Sequence, residues 1–152
     1  MGVDGPQYVT RMKTVLLKVL LGLAVALLAI QLIRPEKTNP PITREVEAPA
    51  EVKVLLERAC YDCHSNETKW PWYSNVAPVS WLVAHHVDEG RRELNFSEWD
   101  AYDDKRRAHK LEETEEMISR GEMPEALYVL GHREAKLTDA EKKLLIDWAR
   151  LR

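Results

Sequence analysis

The sequence predicts an all-α protein: one apolar helix able to cross a membrane, then a small helical domain. Three observations predict this. Val15 to Ile33 reads VLLKVLLGLAVALLAIQLI, a run of 19 residues with one charge. Beyond residue 50, apolar residues recur at helical spacing. No stretch there alternates apolar and polar residues as a half-buried strand would.

A bilayer core takes about 20 helical residues to cross, so 15–33 reads as a transmembrane anchor. Lys18 stands near its start, where a long side chain snorkels to the headgroups. Arg11 and Lys13 precede the run, and flanking positive charge keeps residues 1–14 cytoplasmic and exports the rest. The competing reading is a cleaved signal peptide. Against it, the small-residue triplet Ala24-Val25-Ala26 lies inside the apolar run, not after it. No cysteine directly follows the run, which excludes a lipoprotein anchor. Residues 34–49 (RPEKTNPPITREVEAP) carry four prolines and mixed charge, and read as an extended linker.

The domain is expected over 50–152. Glu51 to Ala59 places Val52, Leu55, Leu56 and Ala59 on one helix face. Pro78 to Glu89 reads as a helix with proline in its first turn and Gly90 just past its end. Val79, Leu82, Val83, His86 and Val87 share its apolar side. Asp103 to Arg120 aligns Ala108, Leu111 and Ile118, with Gly121 as the stop. The acidic run Glu112 to Glu116 is a solvated helix face. Thr138-Asp139-Ala140-Glu141 is a capping box that opens a last helix with the stripe Leu144, Leu145, Trp148 and Leu151. Trp70-Pro71-Trp72-Tyr73, Trp81 and Trp99 offer flat apolar surfaces for a core or for a cofactor.

Charged residues make up 31% of the chain and the net charge is -3, which does not suit a nucleic-acid binder. Outside the anchor there is one Phe, so the core is thin, and small domains of that kind often rely on a metal, a disulfide or a cofactor. The two cysteines stand three apart, which rules out a long-range disulfide. Residues 60–64 read Cys-Tyr-Asp-Cys-His. This is the spacing of c-type haem attachment: two thiols add to the two vinyl groups of one porphyrin, and the adjacent His64 gives an imidazole nitrogen to iron. Three rivals use the same residues. A thioredoxin-like pair would follow a strand, whereas a helical pattern precedes Cys60. A zinc site would add a distant ligand such as His86 to Cys60, Cys63 and His64, but His85-His86 lacks the usual compact spacing. The third is a pair of inert thiols or a local disulfide.

Met123 is the expected second axial ligand. It sits in Arg120-Gly121-Glu122-Met123-Pro124, where Pro124 pushes it out of helical geometry. Its plain alternative is core filler. His85, His86, His109, His132 and Met117 are the weaker candidates. Met/His ligation raises the reduction potential, bis-His lowers it, and an open site admits small molecules.

The order helix, Cys-x-x-Cys-His, helices, Met-Pro and final helix with Trp148 resembles a class I cytochrome c. A closer resemblance is to the bacterial haem-binding domain family. It is carried by Cys60 to Trp99, then Gly121 to Pro124, Tyr128, His132, Ala135, Leu137 and Trp148. The resemblance covers roughly residues 50–150 and implies a cytochrome c-like helical domain with haem held through Cys60, Cys63 and His64. The chain departs from the expected second proline and aromatic after Met-Pro, having Glu125 and Ala126 there.

The expected function is electron transfer by one covalent haem c on the outer face of the cytoplasmic (inner) membrane, in the periplasm or outside the cell. An electron carrier suits the residues better than a catalyst. The expected partners are membrane lipid, through the anchor, and redox proteins; nucleic acid is not one. Residues 50–152 hold 21 acidic and 16 basic side chains, a net of about -5 that favours basic partner surfaces. The alternatives are a haem sensor or peroxidase-like enzyme with an open iron site, and a non-haem thiol or zinc module.

Overall fold

A computed structural model describes residues 5–151. Residues 1–4 of the expected cytoplasmic segment, and Arg152, lie outside the described residues. Among the described residues all regular elements are helical; the nearest thing to a sheet is an isolated bridge between Arg44 and Glu98. The chain divides into two units. One holds the chain up to Glu36 together with Pro71–Val83, and the other holds Lys37–Trp70 with the chain from Ala84 onward.

In the first unit, α1 spans Gly5–Ile30. It starts well before the apolar run and stops before Gln31. The helix is apolar and long enough to cross a membrane over Gln7–Ile30. At 1.5 Å per residue it is about 39 Å long, which exceeds a hydrocarbon core of about 30 Å. Its large apolar side chains are exposed, so its hydrophobicity has no protein partner in the unit. The second segment of the unit contains a 3₁₀ turn at Trp72–Asn75.

The second unit is built on α2 (Ala50–Ala59), α3 (Tyr61–His64), the end of α4 (Val79–Glu93), α5 (Asp104–Arg120), α6 (Ala126–Gly131) and α7 (Asp139–Arg150). Helix α2 buries Val52, Leu55, Leu56 and Ala59, the face that its periodicity predicts. It packs against α7, and α5 also packs against α7. Tyr61, Phe96, Trp99 and Tyr102 form an aromatic series in the same core, with neighbouring centroids 5.8, 6.3 and 5.6 Å apart. Complete burial of Leu56 and of Leu145 contributes about 1.5–3 kcal/mol each.

The helix ends follow local chemistry. Asp103 caps α5 by accepting from the Arg106 N–H, and Gly121 ends it at φ 73°, in the left-handed region. Thr138 and Glu141 form both halves of a capping box on α7. Glu141 also accepts from Arg58 of α2 at 2.6 Å, which ties the two helices.

Several expectations need correction. Helix α4 does not stop at Glu89: it runs through Gly90 to Glu93. Ala108 is exposed, as are Leu144 and Leu151, because the buried stripe of α7 is Leu145, Trp148 and Ala149. Val79 and Leu82 are exposed as well. The proline-rich stretch is not a free linker along its whole length. Prolines hold it extended, and an extended backbone needs hydrogen-bond partners. Thr43 and Arg44 donate to Ser97 O, Val46 donates to Phe96 O, and Trp99 donates to Arg44 O. Val46 thereby enters the core.

Bonds from the Thr138 backbone N–H and from Arg58 hold the Glu141 carboxyl at about 2, below its ordinary 4.5. A depressed carboxyl stabilises the fold above the ordinary value and loses that contribution as pH falls toward about 2. Glu141→Gln should therefore unfold at lower urea than wild type at neutral pH. The gap should close between about pH 5 and 2, and a gap that is constant over this range would contradict the assignment.

Candidate functional site

The motif is positioned from the core outward. Cys60 ends α2, with its N–H bonded to Leu56 O at 2.8 Å. The next turn, α3, is closed by His64 N–H to Cys60 O at 2.9 Å. Tyr61 points into the core and donates to Glu45 at 3.0 Å. Cys60, Cys63 and His64 are half-buried. Tyr61 thus anchors the turn, and the three chemistry-bearing side chains stay at the margin of the core.

Asp62 holds the turn from the other side. It accepts from the Lys69 backbone N–H at 2.9 Å and from the Tyr128 hydroxyl of α6 at 2.7 Å. The segment after His64 is fixed by buried polar side chains. Asn66 accepts from Asn95 at 2.9 Å, and its own N–H donates to Ser97 at 3.0 Å. Arg91 then joins three stretches, donating to Ser65 O at 2.8 Å, Thr38 O at 2.9 Å, Asn39 at 3.0 Å and Thr68 at 2.9 Å.

The imidazole of His64 meets the end of α4. Its Nδ1 lies 3.0 Å from Gly90 O and 3.1 Å from Leu94 O. Carbonyls only accept, so Nδ1 carries the hydrogen and Nε2 keeps its lone pair. Burial pushes the His64 pKa down, against the opposing pull of the two carbonyls and of Glu125 and Glu93. The ring is therefore neutral at pH 7, the form that ligates a metal.

This approach depends on Gly90. A Cβ built there would lie 2.6 Å from Cys63 O and 3.0 Å from Cys63 Cβ. The residue read as a helix stop is instead a notch on the buried face of α4, beside Ala84 and Val87.

Burial, the largest cause in each case, raises the Cys60 thiol to about 12 and the Cys63 thiol to about 11. Both are protonated at neutral pH, unlike the acidic nucleophilic thiol of a thioredoxin-type pair. Among the described residues no three His, Cys, Asp or Glu side chains gather as a metal-holding group, so the zinc reading has no converging ligand set.

Met123 is half-buried in the loop between α5 and α6, with its N–H on Met117 O at 3.2 Å. The charge of Glu125, two residues on, acts on both Cys63 and His64. The Tyr128–Asp62 bond brings α6 to the motif. His86 pairs with Glu125 at 3.3 Å. His85 and His109 are exposed and face glutamates on their own helices. The His132 ring stacks on Tyr128 with centroids 4.2 Å apart. Helix α6 reads ALYVLG yet buries none of its residues.

Sequence reasoning missed Gly90, Arg91, Asp62 and Glu125, and gave Tyr128 no role. Gly90 had a signal, since a glycine inside a helical pattern often marks close approach. The others act through long-range pairs that no local pattern encodes.

A family model for a haem-binding domain matches residues 25–151, most of the chain. No curated protein and no solved structure matches it. The residues present suit that group: two thiols three positions apart, an imidazole whose Nδ1 is committed to carbonyls, and an apolar helix with no buried residue that is bonded to the motif through Tyr128.

Gly90→Ala should lower stability by about 1–3 kcal/mol from overpacking, even though alanine is the better helix former by about 1 kcal/mol. Urea unfolding measures this. A variant as stable as wild type would show that Cys63 does not need the notch.

Proposed function

The chain belongs to the haem-binding domain family and binds haem; from that premise we propose that it is a membrane-anchored c-type electron carrier. Cys60 and Cys63 would hold one haem covalently, and His64 and Met123 would give a nitrogen and a sulfur to its iron. The observation that carries this reading is the setting of His64. Its Nδ1–H is committed to Gly90 O and Leu94 O, which directs Nε2 away from α4 and fixes the tautomer that binds iron.

The Cys60 and Cys63 thiols would attach the group through two thioether links. Two residues between the cysteines set the reach, and His64 follows at once. When bound, the haem supplies one-electron chemistry at its iron. The protein's part is to hold the imidazole still. The Gly90 and Leu94 carbonyls hold the ring, while Arg91 on Ser65 O and the Asp62–Tyr128 bond fix the backbone on either side of it. A sulfur ligand from Met123 would favour the reduced state and a high potential.

Helix α1 anchors the domain in the cytoplasmic membrane, with the haem on the outer face. Its partners are membrane lipid and redox proteins, and the acidic balance of residues 50–152 steers basic surfaces toward it. A second reading, an open iron site with sensing or peroxidase-like activity, is favoured by one observation. His86 and Glu125 form an imidazole–carboxylate pair beside the Met123 loop, a combination that moves protons in acid–base catalysis.

Full-length protein matured in an exporting host should keep its haem stain through denaturing electrophoresis, and Cys60→Ala/Cys63→Ala should lose it. Met123→Ala should keep the stain, lose the near-infrared sulfur–iron band and gain carbon monoxide binding. A parent that already lacks the band and binds carbon monoxide would overturn Met123 ligation and favour the open site.

A further inference from the structure

In a chain that is 31% charged, no Asp, Glu, Lys or Arg stands between Lys69 and Asp88. Pro71–Val83, which lies wholly inside that gap, joins the unit of α1. It is pinned to the residues just past the end of that helix. Gln31 donates to Ala77 O at 3.1 Å and accepts from the Ala77 N–H at 2.9 Å, a two-way amide pairing. The Trp81 indole N–H donates to Ile33 O at 2.8 Å.

The segment leaves large apolar side chains in the open. Trp72 is 79% exposed, and Val76, Val79 and Leu82 are all above 40%. Leu32 and Ile33 beside them are exposed too. Water is a poor neighbour for such a patch. Of the polar groups here, Ser74 and Ser80 are buried, the Trp81 N–H is used within the unit, and Asn75 is exposed with its amide donating to Trp72 O.

We propose that Pro71–Val83 is a membrane-interface collar that rests on lipid around the exit of α1. The inference relies on the reading of α1 as a membrane anchor. A helix that stops at Ile30 puts Gln31 to Ile33 at the edge of the hydrocarbon, and the hydrogen bonds above hold the collar at that level. Trp and Tyr favour this zone, where an apolar ring meets lipid and a polar edge meets headgroups. A segment without Asp, Glu, Lys or Arg avoids the cost of placing its own ions there, and Arg34, exposed just past Ile33, has a side chain long enough to reach the headgroups. The collar gives the anchor a second point of attachment to lipid.

Full-length protein in phosphatidylcholine vesicles tests this. Bromines near the glycerol end of the acyl chains quench only indoles at that depth. The emission lost in Trp72→Phe isolates the contribution of Trp72, and a second variant, Val76→Trp, probes another exposed position. Both contributions should fall about twofold or more in brominated vesicles. Alkaline carbonate extraction is run in parallel. Protein that stays in the vesicles while neither indole is quenched overturns the collar alone, and would leave the patch for a protein partner. Protein released by carbonate overturns the anchor reading and the collar with it.

Discussion

The imidazole N–H of His64, donated to two carbonyls at the end of α4, is the contact around which the site is arranged. A histidine that follows two cysteines is useful only if its ring is aimed and its free nitrogen known. Both are set here by the Gly90 and Leu94 oxygens. That bond requires α4 to come within contact of the motif backbone, and the missing side chain at Gly90 permits it. Arg91 then ties the same helix to residues 38–39 and 65–68. Burial keeps the ring neutral. Geometry and protonation state thus come from one packing arrangement.

The core explains why a prosthetic group suits this domain. Its apolar cluster runs from α2 through Phe96, Trp99 and Tyr102 to α5 and α7. Helix α6 lies outside that cluster except for Tyr128, which packs partly against it. Leu127 and Leu130 remain exposed. The Tyr128–Asp62 bond holds this uncovered helix to the cysteine motif. In the proposed reading, a flat apolar group bonded to Cys60 and Cys63 covers the surface that the polypeptide leaves open, and folding and haem attachment support one another.

What was legible in the sequence was local. The Cys-x-x-Cys-His spacing, the face of α2, the Asp103 and Gly121 ends of α5, and the Thr138–Glu141 box each depend on residues a few positions apart. Periodicity gave the direction of a buried face but not its width, so Leu144, Leu151 and Ala108 were placed too deep. Gly90 carried a glycine's ambiguity between stop and notch, and only the neighbouring Cys63 decides it. The proline-rich stretch announced extension but not its partner strand of backbone at Phe96–Trp99. Asp62 with Tyr128, and His86 with Glu125, pair across 66 and 39 positions of sequence, beyond any local pattern.

The most direct measurement is a pyridine haemochrome spectrum of exported full-length protein after acid–acetone extraction. With both vinyl groups converted to thioethers at Cys60 and Cys63, the colour stays with the polypeptide and the reduced α band takes the blue-shifted position of haem c. Colour that passes into the acetone, with the α band of unmodified haem b, would show a haem-binding domain that holds its cofactor without covalent bonds and would contradict the account.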